Sequence, residues 1–139
     1  MMHYFIKLNI ISMLYAVVIW FPLELILNTY RISRWLSSEV NDVQKWMIGI
    51  IIVELIVGSI LIINLSKRWL TERKANFWTL VLWIPYFILL IYHCAVLFPV
   101  TNEGDTPSPV TGLFLIGGFI VYPVYILILN AASITKEAA

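Results

Sequence analysis

The sequence predicts an all-α fold: an integral membrane bundle of four transmembrane helices, built by residues 1–139 as one domain with both termini cytoplasmic. Three observations lead to it. Apolar residues make up 61% of the chain and charged residues 12%, about half the ~25% charged residues usual in a soluble domain. The apolar residues gather into four runs, Leu8–Asn28, Trp46–Leu65, Phe77–Phe98 and Thr111–Asn130. Each run has the ~20 residues that cross a ~30 Å hydrocarbon layer at ~1.5 Å per residue. Finally, every Asp, Glu, Lys and Arg lies outside these runs except Glu24 and Glu54.

The runs are helices because lipid offers no hydrogen-bond partner to an open strand. The first follows Lys7 as a signal peptide would, but Pro22, Glu24 and Asn28 stand where a small-residue cleavage site would be, so it is expected to be retained. The second embeds Glu54 among thirteen Ile, Leu and Val residues. One acid opposes insertion by roughly 2.5–3.5 kcal/mol and each large aliphatic favours it by roughly 0.3–0.6, so the sum still favours a span. The third and fourth carry Pro85 and Pro123, each of which frees the carbonyl four residues earlier. Between the third and fourth, Thr101–Pro109 reads as a turn-rich loop. Lys7, Lys67, Arg68, Arg73, Lys74 and Lys136 fall on one side, against Arg31, Arg34 and Lys45 on the other, and this bias predicts cytoplasmic termini. Trp35, Trp46, Trp69, Trp78 and Tyr30 near the boundaries are expected as interfacial anchors.

Composition also excludes. A net charge of +1 gives no basic field for nucleic acid. One cysteine, Cys94, rules out an internal disulfide and a dithiol redox pair. There is no metal-ligand spacing, no phosphate-binding glycine loop and no serine–histidine–acid set. No metal or cofactor is therefore expected, and no catalytic residue is assigned, although a buried acid pair could transfer protons on a membrane-soluble substrate.

What remains is a set of polar residues within the spans. Counted along the helices, Glu54 lies about 12 Å from Trp46, Glu24 about 9 Å from Tyr30 and His93 about 7 Å from Phe98. Gly117 and Gly118 fall at the matching height of the fourth run, which predicts a polar layer in the outer half of the membrane. Glu24, Asn28 and Arg31 form an i, i+4, i+7 stripe that lets Arg31 reach down to the acid. Gly58 lies one turn below Glu54, and Tyr86 shares the His93 face at i−7. The ligand-binding set is thus Glu54, Glu24, His93, Tyr86 and Asn28, with Gly58, Gly117 and Gly118 as pocket or packing positions. Each also has a structural alternative: a membrane acid can simply pair across helices, a histidine can be satisfied at the interface, and glycines can form a packing seam.

Three segments resemble the EXPERA family of four-helix membrane proteins, which contains sterol isomerases and the sigma-2 receptor. Trp46–Asn64, "WMIGIIIVELIVGSILIIN", is similar to that family's second helix, with a Trp ahead of an apolar run and an embedded Glu-Leu. Ile120–Leu129, "IVYPVYILIL", is similar to its Tyr/Pro-rich fourth helix. "FPLELIL" at Phe21–Leu27 stands where its first helix carries a proline and an acid, although Glu24 replaces the usual aspartate and Arg31–Lys45 is shorter than the family's loop. The resemblance implies that Glu54 and Glu24 form an acidic pair lining a pocket for an amine-containing or sterol-like ligand.

Two functions follow. In one, the bundle binds or transports a small apolar or cationic ligand in an outer-half pocket lined by Glu24 and Glu54. In the other, it is a non-enzymatic accessory or immunity-type protein whose buried polar residues pair with a membrane partner or with a second copy of the chain.

Overall fold

The computed structural model describes residues 2–70 and 73–134. Lys136 and the chain's two ends, on which the expected orientation partly rests, lie outside the described residues. All regular structure there is helical: α1 (Met2–Leu27), α2 (Thr29–Leu36), α3 (Val40–Trp69), α4 (Arg73–Asn76), α5 (Thr79–Leu97), a 3-10 turn at Glu103–Asp105, and α6 (Pro109–Ser133). Four helices are long and apolar enough to cross a bilayer. Pro22, Pro85 and Pro123 lie inside continuous helices.

The boundaries differ from the apolar runs for a physical reason. An apolar run ends at the first charge, whereas a helix continues as long as its backbone bonds do, and Lys or Arg stems snorkel past the hydrocarbon edge. α1 therefore starts six residues before Leu8. α3 extends six residues before Trp46 and four beyond Leu65, with Asp42 in its first turn and Lys67 and Arg68 in its last, the signs that suit the helix dipole. The expected loop Arg31–Lys45 is mostly helical. Asn28 breaks α1 only slightly, because its N–H still bonds the Glu24 carbonyl at 3.0 Å and its own carbonyl accepts from Ile32 at 2.9 Å. α2 then runs on until Ser37, whose left-handed backbone ends it.

α1 occupies the centre and packs on α5, α3 and α6. Ile11, Tyr15 and Ala16 are fully buried, while α3, α5 and α6 turn broad apolar faces outward, including Ile52, Ile56, Val96 and Ile120. Such outward apolar faces suit lipid as the surrounding solvent. Trp83 packs edge-on against Tyr122 at 4.9 Å and Phe87 against Phe119 at 5.3 Å, stitching α5 to α6.

At Gly58 α3 packs tightly against α1. A methyl group there would sit 2.8 Å from Val18 Cγ2, whereas one at Gly117 would meet nothing within 4 Å. Both Gly58→Ala and Gly117→Ala gain the same helix propensity, so their difference isolates the clash. Gly58→Ala is expected to be less stable than Gly117→Ala by about 1–3 kcal/mol, the typical cost of overpacking, with Val18→Ala restoring most of it. Equal thermal melting of the two glycine variants would contradict the close approach.

Candidate functional site

The two ends of the bundle are held differently. At the α4 end a hydrogen-bond network crosses the core. Asn130 of α6 donates to Thr79 Oγ1 at 3.0 Å and to the Asn76 carbonyl at 3.3 Å, and accepts from the Tyr15 hydroxyl at 3.2 Å. Tyr4 donates to Asn76 Oδ1 at 3.4 Å, and the Tyr122 hydroxyl donates to the Tyr15 carbonyl. Asn130, Thr79, Asn76 and Tyr15 are all buried. The sequence reading missed this set because Asn130 stood at the end of an apolar run and passed for a boundary residue. Height counting, applied to Tyr15, Thr79 and Asn130 as it was to the acids, was the signal that could have found it.

At the α2 end the clamp is ionic. Asp105 is buried and sits 2.7 Å from Arg34 Nη2 and 3.6 Å from Arg31 Nε. Arg31 also donates to the carbonyls of Phe98, at 3.0 Å, and Pro99, at 3.2 Å. The expected reach of Arg31 down to Glu24 is therefore corrected: the guanidinium turns toward the α5–α6 connection, where two carbonyls accept from it and the Asp105 carboxylate lies beside its Nε. That connection is also more ordered than a plain loop, since Asn102 Oδ1 accepts from Gly104 N–H at 3.0 Å and starts the 3-10 turn that delivers Asp105 inward.

Glu24 is half-buried and lines a cleft of about 250 Å³ between α1, α2 and the end of α5. Its walls include Trp20, Phe21, Trp35, Cys94 and Phe98, with Asn28 and Arg31 toward the α2 end. Asn28 Nδ2 donates to Glu24 Oε2 at 3.0 Å and to the Glu24 carbonyl at 2.8 Å, which joins the two as the sequence stripe suggested. The α5 residue beside them is Cys94, half-buried in the cleft wall. His93, one residue or about 100° away, is exposed and stacks edge-on with Tyr92. Tyr86 meets neither: its hydroxyl donates to Asn9 Oδ1 at 2.5 Å, on the same central helix but nearer the α4 end.

Glu54 stands elsewhere. Gly58 packs on Val18, and in antiparallel helices this puts Glu54 level with about Pro22, only ~3 Å along the axis from Glu24. Around α1, however, Glu24 is about 120° from Val18, so the two acids share a height and not a pocket. Glu54 is half-buried, in an outward groove of α3 formed with Trp46, Gly49, Ile50, Val53 and Val57. Its Oε2 is buried without a hydrogen-bond partner. The hydroxyls of Tyr122 and Tyr125 bond the Tyr15 carbonyl and Ser59. Gly117 and Gly118 lie on an exposed stretch of α6 with open space beside both. Gly118 borders an apolar cleft of about 200 Å³ with Pro22, Leu55, Phe114 and Tyr122. Neither glycine sits under a neighbouring helix.

Among the described residues no group of three or more His, Cys, Asp or Glu is placed to hold a metal ion. Compared with family models, curated proteins and solved structures, the chain matches none of them.

The clamp makes a ranked prediction. Asp105→Ala leaves Arg31 buried with only carbonyl partners, and is expected to cost toward the lower end of the ~3–5 kcal/mol seen when one member of a buried ion pair is removed. Arg34 is 47% exposed, so Arg34→Gln should cost under ~1 kcal/mol. Thermal unfolding, together with hydrogen exchange across residues 99–108, checks the order; equal effects would refute it.

Proposed function

We propose that this chain is a multi-pass membrane protein, both ends cytoplasmic, that binds an amphipathic organic cation at Glu24 in the cleft between α1, α2 and α5. The observation that carries the reading is the chemistry of that cleft: a carboxylate against Trp20, Phe21, Trp35 and Phe98. Aromatic faces attract an ammonium group through their quadrupoles, most strongly where water is excluded. A carboxylate adds a charge-assisted hydrogen bond, roughly twice as strong as a neutral one. Arg31 is held toward Asp105 and the Phe98 and Pro99 carbonyls, turned away from Glu24. An apolar ligand body reaching the cleft from the bilayer side is held there by packing against the apolar walls, since lipid already shields it from water. The EXPERA resemblance points to the same ligand class, with Glu24 as the acid that the cleft favours.

A second reading has its own support. Glu54 has an unpartnered oxygen beside an outward groove of α3, as expected where a helix of another protein, or of a second copy, completes the packing. On that reading the chain is a non-enzymatic interaction protein, of accessory or immunity type.

One experiment separates them. In nanodiscs, nonylamine is expected to bind the wild-type protein, with Glu24→Gln losing at least about tenfold in affinity and Glu54→Gln holding it. If instead Glu54→Gln alone disrupts self-association or co-purification with a partner, and neither variant changes amine binding, the interaction reading prevails. Orientation has a separate check. Lys67 and Lys74 are both exposed and should react with an impermeant amine reagent only from the cytoplasmic face; labelling from outside would invert the topology.

A further inference from the structure

At the α4 end the first turns of α1 and the α4–α5 segment leave an outward apolar groove of about 620 Å³, within the ~300–1,000 Å³ of small-molecule sites. Phe5 and Leu8, at i and i+3, form one wall; Trp78 and Leu82, at i and i+4, form the other together with Ala75. The two walls are tied to each other. Tyr4, also in the lining, donates to Asn76 Oδ1 at 3.4 Å, and the Asn76 carbonyl accepts from Asn130. Along α1 the lining runs from Met2 to Leu8, about 9 Å of helix axis at ~1.5 Å per residue. The groove is therefore a slot that starts at the end of the span and runs into it.

Charge decides what suits the slot. In chain order this end carries Lys7, Lys67, Arg68, Arg73, Lys74 and Lys136 against Glu72 and Glu137, whereas the α2 end carries Arg31, Arg34 and Lys45 against Glu39, Asp42, Glu103 and Asp105. Lys74 precedes Ala75 and Trp78 of the lining, is exposed, and pairs with no carboxylate among the described residues. A lysine at the edge of a span carries its ammonium into the headgroup layer on an apolar stem, and basic residues placed there attract anionic lipid. The α3 groove beside Glu54 makes the contrast. It holds about 590 Å³ and also has a lysine in its lining, but that residue, Lys45, bonds Asp42 at 3.2 Å, and Glu54 stands in the wall. The two grooves are alike in size and apolar lining and opposite in the charge they offer.

We propose that the α4-end groove is a site for an anionic phospholipid, with an acyl chain lying between Phe5–Leu8 and Trp78–Leu82 and the phosphate of the headgroup against Lys74. The site rests on the reading that the chain spans a membrane and is independent of the cation site at Glu24.

The test uses protein labelled with fluorotryptophan in phosphatidylcholine nanodiscs, with the Trp78 and Trp46 resonances assigned by substitution. Both indoles are exposed, Trp78 in the α4-end groove and Trp46 in the α3 groove. Phosphatidylglycerol or phosphatidylcholine bearing a nitroxide near the top of one acyl chain is then titrated in. Labelled phosphatidylglycerol is expected to broaden Trp78 at about fivefold lower mole fraction than labelled phosphatidylcholine, the preference that one lysine near an anionic surface confers, while Trp46 responds to both lipids alike. Lys74→Gln should remove most of the preference at Trp78, and Lys45→Gln should leave it in place. The wild-type comparison of the two indoles needs no variant to fold. The inference is overturned if the two lipids broaden Trp78 equally, if Trp46 shows the same preference as Trp78, or if Lys74→Gln leaves the preference unchanged. None of those results touches amine binding at Glu24. Should neither lipid broaden either indole, the membrane-spanning reading fails and the lipid site with it.

Discussion

Hydrocarbon offers no hydrogen-bond partner, so a polar side chain within a span must find one on another helix or go without. In this bundle the partner is repeatedly α1. Tyr86 of α5 bonds Asn9, Tyr122 of α6 bonds the Tyr15 carbonyl, Asn130 of α6 accepts from the Tyr15 hydroxyl, and Tyr4 reaches Asn76 at the end of α4. α1 is central because it alone supplies these contacts to both α5 and α6 while its Val18 face receives Gly58 of α3. Interhelical hydrogen bonds in membranes average only ~0.6 kcal/mol. Their larger effect here is on register, since sliding α6 by one turn would separate Asn130 from Tyr15, Thr79 and Asn76 at once.

The two ends divide this work. The α4 end is locked by neutral hydrogen bonds deep in the core. The α2 end is held by Arg31 and Arg34 on Asp105, which pins the α5–α6 connection over α2. Between the ends the helices are joined mainly by apolar contact, and the Glu24 cleft opens beside the clamp, with Arg31 and Trp35 of α2 in its lining. The two acids have different outcomes. Glu24 has Asn28 as a partner and an aromatic cleft in front of it; Glu54 has a buried oxygen with no partner and an open groove along α3.

The four long apolar helices and the similar heights of the two acids were legible in the sequence, because both depend on quantities that one chain carries: apolar length and rise per residue. The sequence did not reveal faces. Which helix is central, and in what order the others surround it, depends on contacts between helices whose compositions are nearly alike, and α1 is no more apolar to the eye than α5. Hence Glu24 and Glu54 were read into one pocket, whereas at the same height they line separate clefts on different sides of the bundle. The same blindness to rotation put His93 beside Glu24 when Cys94, one position on, fills that place. The boundaries were misread for a different reason. Residues such as Val40–Lys45 are polar and still helical, since the interface tolerates charge where the hydrocarbon does not.

Arg31 connects the clamp to the site. It lines the Glu24 cleft, carries the opposite charge, and on helical spacing alone belongs to Glu24. Pairing there would neutralise the carboxylate and leave the cleft with nothing to recognise. Asp105 changes that outcome by entering from the α5–α6 connection, buried, with one carboxylate oxygen facing both Arg31 and Arg34, while the Phe98 and Pro99 carbonyls accept from the two terminal nitrogens of Arg31. A planar guanidinium oriented to this set is turned away from Glu24. Phe98, whose carbonyl helps hold Arg31 away, is at the same time a wall of the cleft. The clamp therefore does two things with one arrangement of residues: it fastens the loop, and it keeps the acid free of its nearest cation.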